Sequence, residues 1–358
     1  MTQARERFSP DELAICLSHY DLGTIKSIKE FPRGSRRAPK AIIRSEKGKF
    51  LLKRRAKGKD DLAKVGFTHR IQLHLAAQNF PLPHLIGTKK DNNSLLVLND
   101  NIYELFEFVS GGPYDSSLDA TYHAGRILAL YHKLLLDFRS DLRLQTHSTA
   151  FGDLFKPPTG SYHDAKAIAK AIRNTVSTLP LDARPPVEVL TETIESLAAA
   201  YTACAEKVNE MGLNDWTVQI VHGDWHPGNM LFRNKVVVAV IDYDAARLHQ
   251  RVIDIANGAL QFAILGGSKD PSTWPDHLDV SRFKRFLRGY DAVNVISVAE
   301  VQAVPYLMCE AMIAEAVLPI AATGSFGRYE GFPFLQMIDR KVKWIHENLE
   351  TLVSVLED

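Results

Sequence analysis

The stretch Val221-His222-Gly223-Asp224-Trp225-His226-Pro227-Gly228-Asn229 closes a short apolar strand signal (Val218, Ile220, Val221). It leads into two further apolar runs, Met230-Leu231-Phe232 and Val236 to Ile241. No other part of the chain constrains its folding as tightly. Gly223, Pro227 and Gly228 make the loop tight, so the Asp224 carboxylate is presented at a strand end, where a cleft can use it. Arg233-Asn234-Lys235 between the two apolar runs reads as the turn of a hairpin. A hairpin returns its second end beside its first, so Asp242 of Ile241-Asp242-Tyr243-Asp244 comes back to Asn229. An amide carbonyl and a carboxylate side by side suit a hard cation such as magnesium.

Phosphoryl transfer from ATP needs a carboxylate that orients the acceptor hydroxyl and oxygen ligands that hold magnesium on the triphosphate. Asp224, Asn229 and Asp242 are such a set. From His222 to Ala246 the chain resembles the aminoglycoside phosphotransferase and choline kinase superfamily, whose loop reads H-G-D-x-H-x-x-N and is followed by I-D-[FY]-x-x-A. The superfamily includes homoserine-kinase-like and stress-response-kinase-like members. The resemblance implies an α+β, two-lobed, protein kinase-like fold, with a small antiparallel-sheet amino-terminal lobe carrying one main helix and a larger, mostly helical carboxy-terminal lobe. It also implies Asp224 as catalytic base and Asn229 and Asp242 as magnesium ligands. His222 and His226 would support the loop, and Asp254 in Val252-Ile253-Asp254-Ile255-Ala256 would brace it from the next helix. A competing reading takes His222, Asp224 and His226 as the ligand cluster of a metallohydrolase. That reading leaves Asn229 and the hairpin to Asp242 unexplained.

With 358 residues, 46% of them hydrophobic, the chain can bury one large core or two moderate ones. Gly111-Gly112-Pro113 marks the expected junction, giving an amino-terminal lobe over 1–110 for the nucleotide phosphates. Residues 111–358 form the helical lobe with the catalytic loops and the acceptor site. A net charge of +1, from 43 basic and 42 acidic residues, sets up no overall field that demands nucleic acid or an anionic membrane. Cys16, Cys204 and Cys309 are odd in number and far apart, which points to buried free thiols in a reducing compartment. The polar amino terminus lacks the apolar core of a secretory signal, and the apolar runs are too short to span a bilayer. A cytoplasmic protein is expected; its oligomeric state is left open.

Ser9-Pro10-Asp11-Glu12 is a capping box that opens a short helix to Tyr20. Strand signals follow at Ile25 and Ile28, Ala41 to Ile43, Phe50 to Leu52, Ser94 to Leu98 and Ile102 to Val109, with a helix from about Asp60 to Asn79. From Ser117 the pattern turns helical, with helices expected at Ala165 to Val176, Val187 to Met211, 250–266, 281–292, 305–318 and 334–356.

Lys53 ends the Phe50 to Lys53 strand, and in the superfamily a lysine at this place contacts the ATP phosphates. The loop with Gly34, Ser35 and Arg36 would lie over those phosphates, because glycine permits close backbone approach. Backbone groups of Glu107 to Val109 would meet the adenine edge. Relatives carry a glutamate on the following helix that pairs with the lysine. Here the matching position falls on His69, with Gln72 one turn on. That departure leaves room for a nucleotide-binding regulator without transfer activity, and a protein serine/threonine kinase is a further alternative. Residues 26–59 hold fourteen Lys or Arg against Glu30 and Glu46, a patch able to bind phosphates of ATP or of nucleic acid. Only Phe31 and Phe50 could stack on bases there, so nucleic acid is the minority reading. The expected partner is a small hydroxyl substrate such as an amino alcohol, amino acid or sugar. Candidate acceptor residues are Trp225, Tyr243, Asp244, Arg247, Glu310 and Glu315.

Overall fold

The structure, a computed structural model, describes residues 4–138, 165–178 and 185–354. The described residues fall into two compact units. One takes the chain up to Pro113 together with Asp137, Phe138 and Asn229–Ala246; the other takes Tyr114–Leu136, the described part of Phe155–Gly228, and the chain from Arg247 onward.

The first unit is built on an antiparallel sheet of five strands: β1 (Ile25–Glu30), β2 (Lys40–Ser45), β3 (Gly48–Arg54), β4 (Leu96–Leu98) and β5 (Asn101–Glu107), in the order β1-β2-β3-β5-β4. Alternation along the strands turns Ala41, Ile43, Leu52, Tyr103 and Leu105 into one core with Cys16, Leu17 and Tyr20 of helix α1 (Pro10–Ser18) and its end. The expected capping box starts α1, with the Glu12 amide donating to Ser9 Oγ at 3.1 Å. Glu12 also accepts from Arg54 Nη1 at 2.6 Å and from the Tyr103 hydroxyl at 2.7 Å, which ties the helix to the sheet. Helix α2 (Leu62–Ala77) begins at Asp61, whose side chain accepts from the Lys64 amide, and buries Val65, Phe67, His69, Ile71 and Leu75.

The hairpin pairs Met230–Arg233 with Val236–Val240, and its turn residues Asn234 and Lys235 both take positive φ, 50° and 65°. Residues 229–246 group with the sheet, not with the helices of the expected carboxy-terminal lobe. Backbone bonds are the reason: the Gly112 and Phe232 amides each donate to the other's carbonyl, at 2.8 and 2.9 Å, and the Val240 amide donates to Pro81 O at 2.9 Å.

The second unit is helical, with two small two-stranded pairings among its described residues: Ser325–Phe326 with Tyr329–Glu330, and Val218–Val221 with Arg247–Gln250, the latter flanking the Asp224 loop in sequence. Its central helix, Val298–Thr323, is longer than the expected 305–318. A capping box at Ser297 and Glu300 starts it upstream, Pro305 is tolerated inside it, and Gly324 at φ 74° ends it. By length and apolarity this helix could cross a membrane, but 78% of its most apolar window is buried inside the protein, as in a core helix. The expected 334–356 helix is instead Gly331–Glu347 and Leu349–Val353, broken at Asn348; residues 355–356 lie outside the described residues.

Helices Leu118–Leu134 and Val280–Asp291 approach each other through two glycines. A Cβ on Gly125 would stand 2.1 Å from Phe286 O, and one on Gly289 2.1 Å from Tyr122 O. Both obstacles are backbone, so Gly125→Ala must push the helices apart. We expect it to destabilise the protein by about 1–3 kcal/mol, read as a lowered urea midpoint; an unchanged midpoint would mean the helices part freely.

Candidate active site

A cavity of about 440 Å³ opens in the sheet unit, lined among others by Lys40, Lys53, Glu104, Val109, Asp242 and Asp244. Strand register creates its charged wall. Lys40 is the cross-strand partner of Lys53, and Lys53 is the partner of Glu104, so the three side chains form a row on one face of β2, β3 and β5. Lys53 Nζ lies 3.4 Å from Glu104 Oε2. Glu104 Oε1 accepts from His69 Nε2 at 2.7 Å and from Arg55 Nη2 at 2.9 Å, and the same Arg55 nitrogen reaches Asp244 Oδ1 at 2.9 Å. His69 Nδ1 meets the Ser94 hydroxyl at 2.8 Å.

Glu104 is 0% exposed. Burial alone pushes its carboxyl up, but the Lys53 charge, the His69 hydrogen bond and the Arg55 guanidinium outweigh it and hold the group well below the usual carboxylate range. Lys40 is drawn down from its ordinary value, first by burial and then by the Lys53 charge.

This arrangement corrects the reading of His69. The histidine does not take the place of a helix carboxylate beside Lys53; the carboxylate comes from β5, and His69 positions it. Gln72 lines the cavity and donates to Thr68 O at 3.2 Å. The loop over the phosphates also differs. Gly34, Ser35 and Arg36 are exposed and do not line the cavity, whereas Arg33 and Lys40 do. The Gly34 and Ser35 carbonyls are held by Arg5, at 3.2 and 3.0 Å. Gly34 at φ 77° still matters, because a Cβ there would come within 2.8 Å of Lys40 Nζ. Glu107 and Val109 both line the cavity, and the Glu107 amide is occupied by His84 O at 2.8 Å.

The hairpin closes as its pattern requires: the Ile241 amide donates to Asn229 O at 2.9 Å, so Asp242 follows directly on the residue bonded to Asn229. Asp242 lines the cavity at φ 66°, a left-handed conformation that a non-glycine residue keeps only when its surroundings enforce it. Asn229 is buried. A carboxylate and an amide oxygen are hard donors, and they fit magnesium better than a soft metal.

In the helical unit the loop of His222 to Asp224 hangs on Asp254, which is fully buried in the first turn of Val252–Ala263. Its oxygens accept from the His222 amide at 2.6 Å, the Gly223 amide at 2.8 Å and His132 Nε2 at 3.2 Å. Burial raises this carboxyl and those bonds lower it, with a net shift below the ordinary value. Asp224 itself is half exposed, and His226 Nε2 lies 3.6 Å from its Oδ1 while His226 Nδ1 accepts from the Gly228 amide at 3.0 Å.

His222 is buried, its ring 5.3 Å from Trp225 and 5.9 Å from Tyr131. Among the described residues His222, Asp224 and His226 form no ligand cluster, so the metallohydrolase reading loses its geometry. Trp225 is 0% exposed and packs under the loop, so it is a supporting residue and not a contact for an acceptor. Glu310 is likewise 0% exposed inside the Val298–Thr323 helix, and Glu315 accepts from Gln261 Nε2 at 3.4 Å. Arg247 opens the strand opposite Val221, and Tyr243 and Asp244 line the cavity of the sheet unit.

The phosphotransferase enzyme family (APH) matches residues 27–295, most of the chain. The chain belongs to this family. Solved structures agree on the fold. An aminoglycoside phosphotransferase from Alicyclobacillus acidocaldarius is 16% identical, with a TM-score of 0.64 over 99% of this chain and 97% of that one. A microcompartment-associated aminopropanol kinase is 14% identical, with a TM-score of 0.63 over 96% and 98%. Amicoumacin kinase, solved with AMP-PNP, Ca2+ and Ami, is 11% identical, with a TM-score of 0.61 over 96% and 94%. At these identities the likeness establishes the kinase-like fold and nothing finer. No curated protein sequence matches the chain.

The carboxylate beside Lys53 thus comes from a strand that the sequence did not point to. Glu104→Gln leaves Lys53 and Arg55 short of a buried counter-charge and should destabilise the protein by about 3 kcal/mol at neutral pH. The folded carboxyl is depressed, so its stabilisation is complete above the unfolded glutamate value near ~4.3 and is lost as pH falls towards the folded value. The gap between wild type and variant in urea unfolding should therefore shrink below about pH 5. A gap independent of pH would show that Glu104 is not ionised in the folded protein.

Proposed function

We propose that the protein transfers the terminal phosphoryl group of ATP, with magnesium, to a hydroxyl of a small metabolite such as an amino alcohol, an amino acid or a sugar. The row Lys40, Lys53, Glu104 beside Asp242 is the observation that carries this reading. Two lysines directly opposite on neighbouring strands repel each other, and one carboxylate offsets only part of that charge. A polyphosphate in the cavity supplies the rest.

Lys53, fixed by Glu104, and Lys40 hold phosphate oxygens in place. Leu51, Phe106 and Leu231 give the same cavity apolar walls for a purine, and backbone groups of Glu107 to Val109 read its edge. Asn229 and Asp242 would hold magnesium, which when bound neutralises charge on the phosphate oxygens. Asp224 accepts the proton of the acceptor hydroxyl, and its loop is kept in place by the two backbone bonds to Asp254. Asp244, held by Arg55, belongs in this reading to the phosphate end and not to the acceptor. The regulator reading rested on a lysine without its carboxylate, and Glu104 removes that motive.

Asp224→Ala should lower turnover roughly 10²- to 10⁴-fold while ATP with magnesium still raises the melting temperature; Asp242→Ala should abolish that rise. Turnover is read on a panel of amino alcohols, amino acids and sugars. Label appearing on protein and on none of these would move the acceptor to a protein serine or threonine. Lys40→Met should raise the KM for ATP about tenfold or more, the loss of one charged hydrogen bond of ~1.5–3 kcal/mol, and an unchanged KM would remove Lys40 from the phosphate site.

A further inference from the structure

Three helices of the second unit, Val187–Glu210, Val298–Thr323 and Gly331–Glu347, bring Cys204, Cys309 and His346 to one point. We propose that these three side chains form a binding site for a soft metal ion, with zinc as its occupant.

Their ligand atoms all lie within 4.8 Å of one another, and Cys204 Sγ is 3.3 Å from His346 Nε2. Zinc bonded at about 2.3 Å to sulfur and about 2.0–2.1 Å to nitrogen places tetrahedral neighbours roughly 3.5–3.8 Å apart. The three donors therefore need to close by no more than about 1 Å, within the reach of side-chain rotation. Both cysteines are fully buried, while His346 is partly exposed and gives an ion a way in and water a fourth position.

Charge balance supports the same choice. Two thiolates and a neutral imidazole neutralise a divalent ion, so the filled site buries no net charge. Sulfur and nitrogen donors select zinc or copper(I) over magnesium, so this site and the oxygen site of Asn229 and Asp242 do not compete for one ion. Filled, it would cross-link three helices more firmly than the Cys204–His346 contact does without a metal.

The test uses the full chain, reduced, stripped with a chelator and titrated with zinc against a chromophoric competitor in an excess of magnesium. One zinc ion should bind per chain, and Asp242→Ala should retain it. Cys204→Ser, Cys309→Ser and His346→Gln should each weaken binding by more than the roughly 10- to 100-fold that loss of a supporting partner costs. Zinc should also raise the melting temperature of wild type and of none of these three. If a cysteine variant fails to fold, His346→Gln, changed at a partly exposed position, and the thiolate-to-metal absorption of a cobalt-loaded wild type decide the matter. Zinc binding unchanged in His346→Gln, sub-stoichiometric zinc, or isolation of Cys204 and Cys309 as a disulfide would each overturn the proposal.

Discussion

A single buried carboxylate, Glu104, organises the sheet unit. Moving a carboxylate out of water costs several kcal/mol, and the attraction of buried partners repays this only when geometry is good and the remaining lone pairs are satisfied. Glu104 offsets that cost with a lysine from β3 3.4 Å from its Oε2, and with a guanidinium from the segment after β3 and an imidazole from α2 on its Oε1. The partners are fixed in turn. His69 is held by Ser94, and Arg55 is shared with Asp244 at the far end of the hairpin. Strand, helix and hairpin are thus referred to one charge, and the cavity takes its polarity from it.

The helical unit repeats the device with different chemistry. Asp254 binds the His222 and Gly223 backbone amides beside Asp224 and the His132 ring, whose other nitrogen meets the Tyr290 hydroxyl at 2.8 Å. Carboxylates that accept backbone amides hold a loop more rigidly than side-chain pairs do, because the loop's own main chain is what is tied. His222, Trp225 and Tyr131 then fill the space beneath it with rings. Asp224 remains half exposed while Trp225 beside it is buried, which suits the substrate-facing role proposed for it.

What was legible in the sequence was local. Turn residues and alternation gave the hairpin, because two left-handed residues at Asn234 and Lys235 and apolar runs on either side leave few alternatives. A capping box gave the start of α1. Glu104 was not legible, since nothing along the chain says that it stands opposite Lys53; only strand register does. Counting back along α2 instead gave His69, one step away in the same network. Trp225 failed for a related reason: a loop position says nothing about which way an indole turns. The Cys204, Cys309 and His346 cluster depends on how three long helices pack, and no spacing encodes that.

The basic run over residues 26–59 shows why local composition and available charge differ. Arg54 is held by Glu6 and Glu12, Arg55 by Glu104 and Asp244, Lys47 by Asp21 and Lys57 by Asp60. These acids lie outside the run, so a count along the sequence misses them. Arg33, Lys40 and Lys53 instead line the cavity, and the last two stand side by side across β2 and β3. Cations gathered in a concave site suit a compact polyphosphate; an extended phosphate backbone needs them spread along an open face. The repulsion between Lys40 and Lys53 has the same consequence. It weakens the unliganded sheet, and the phosphate proposed to bind there would relieve it.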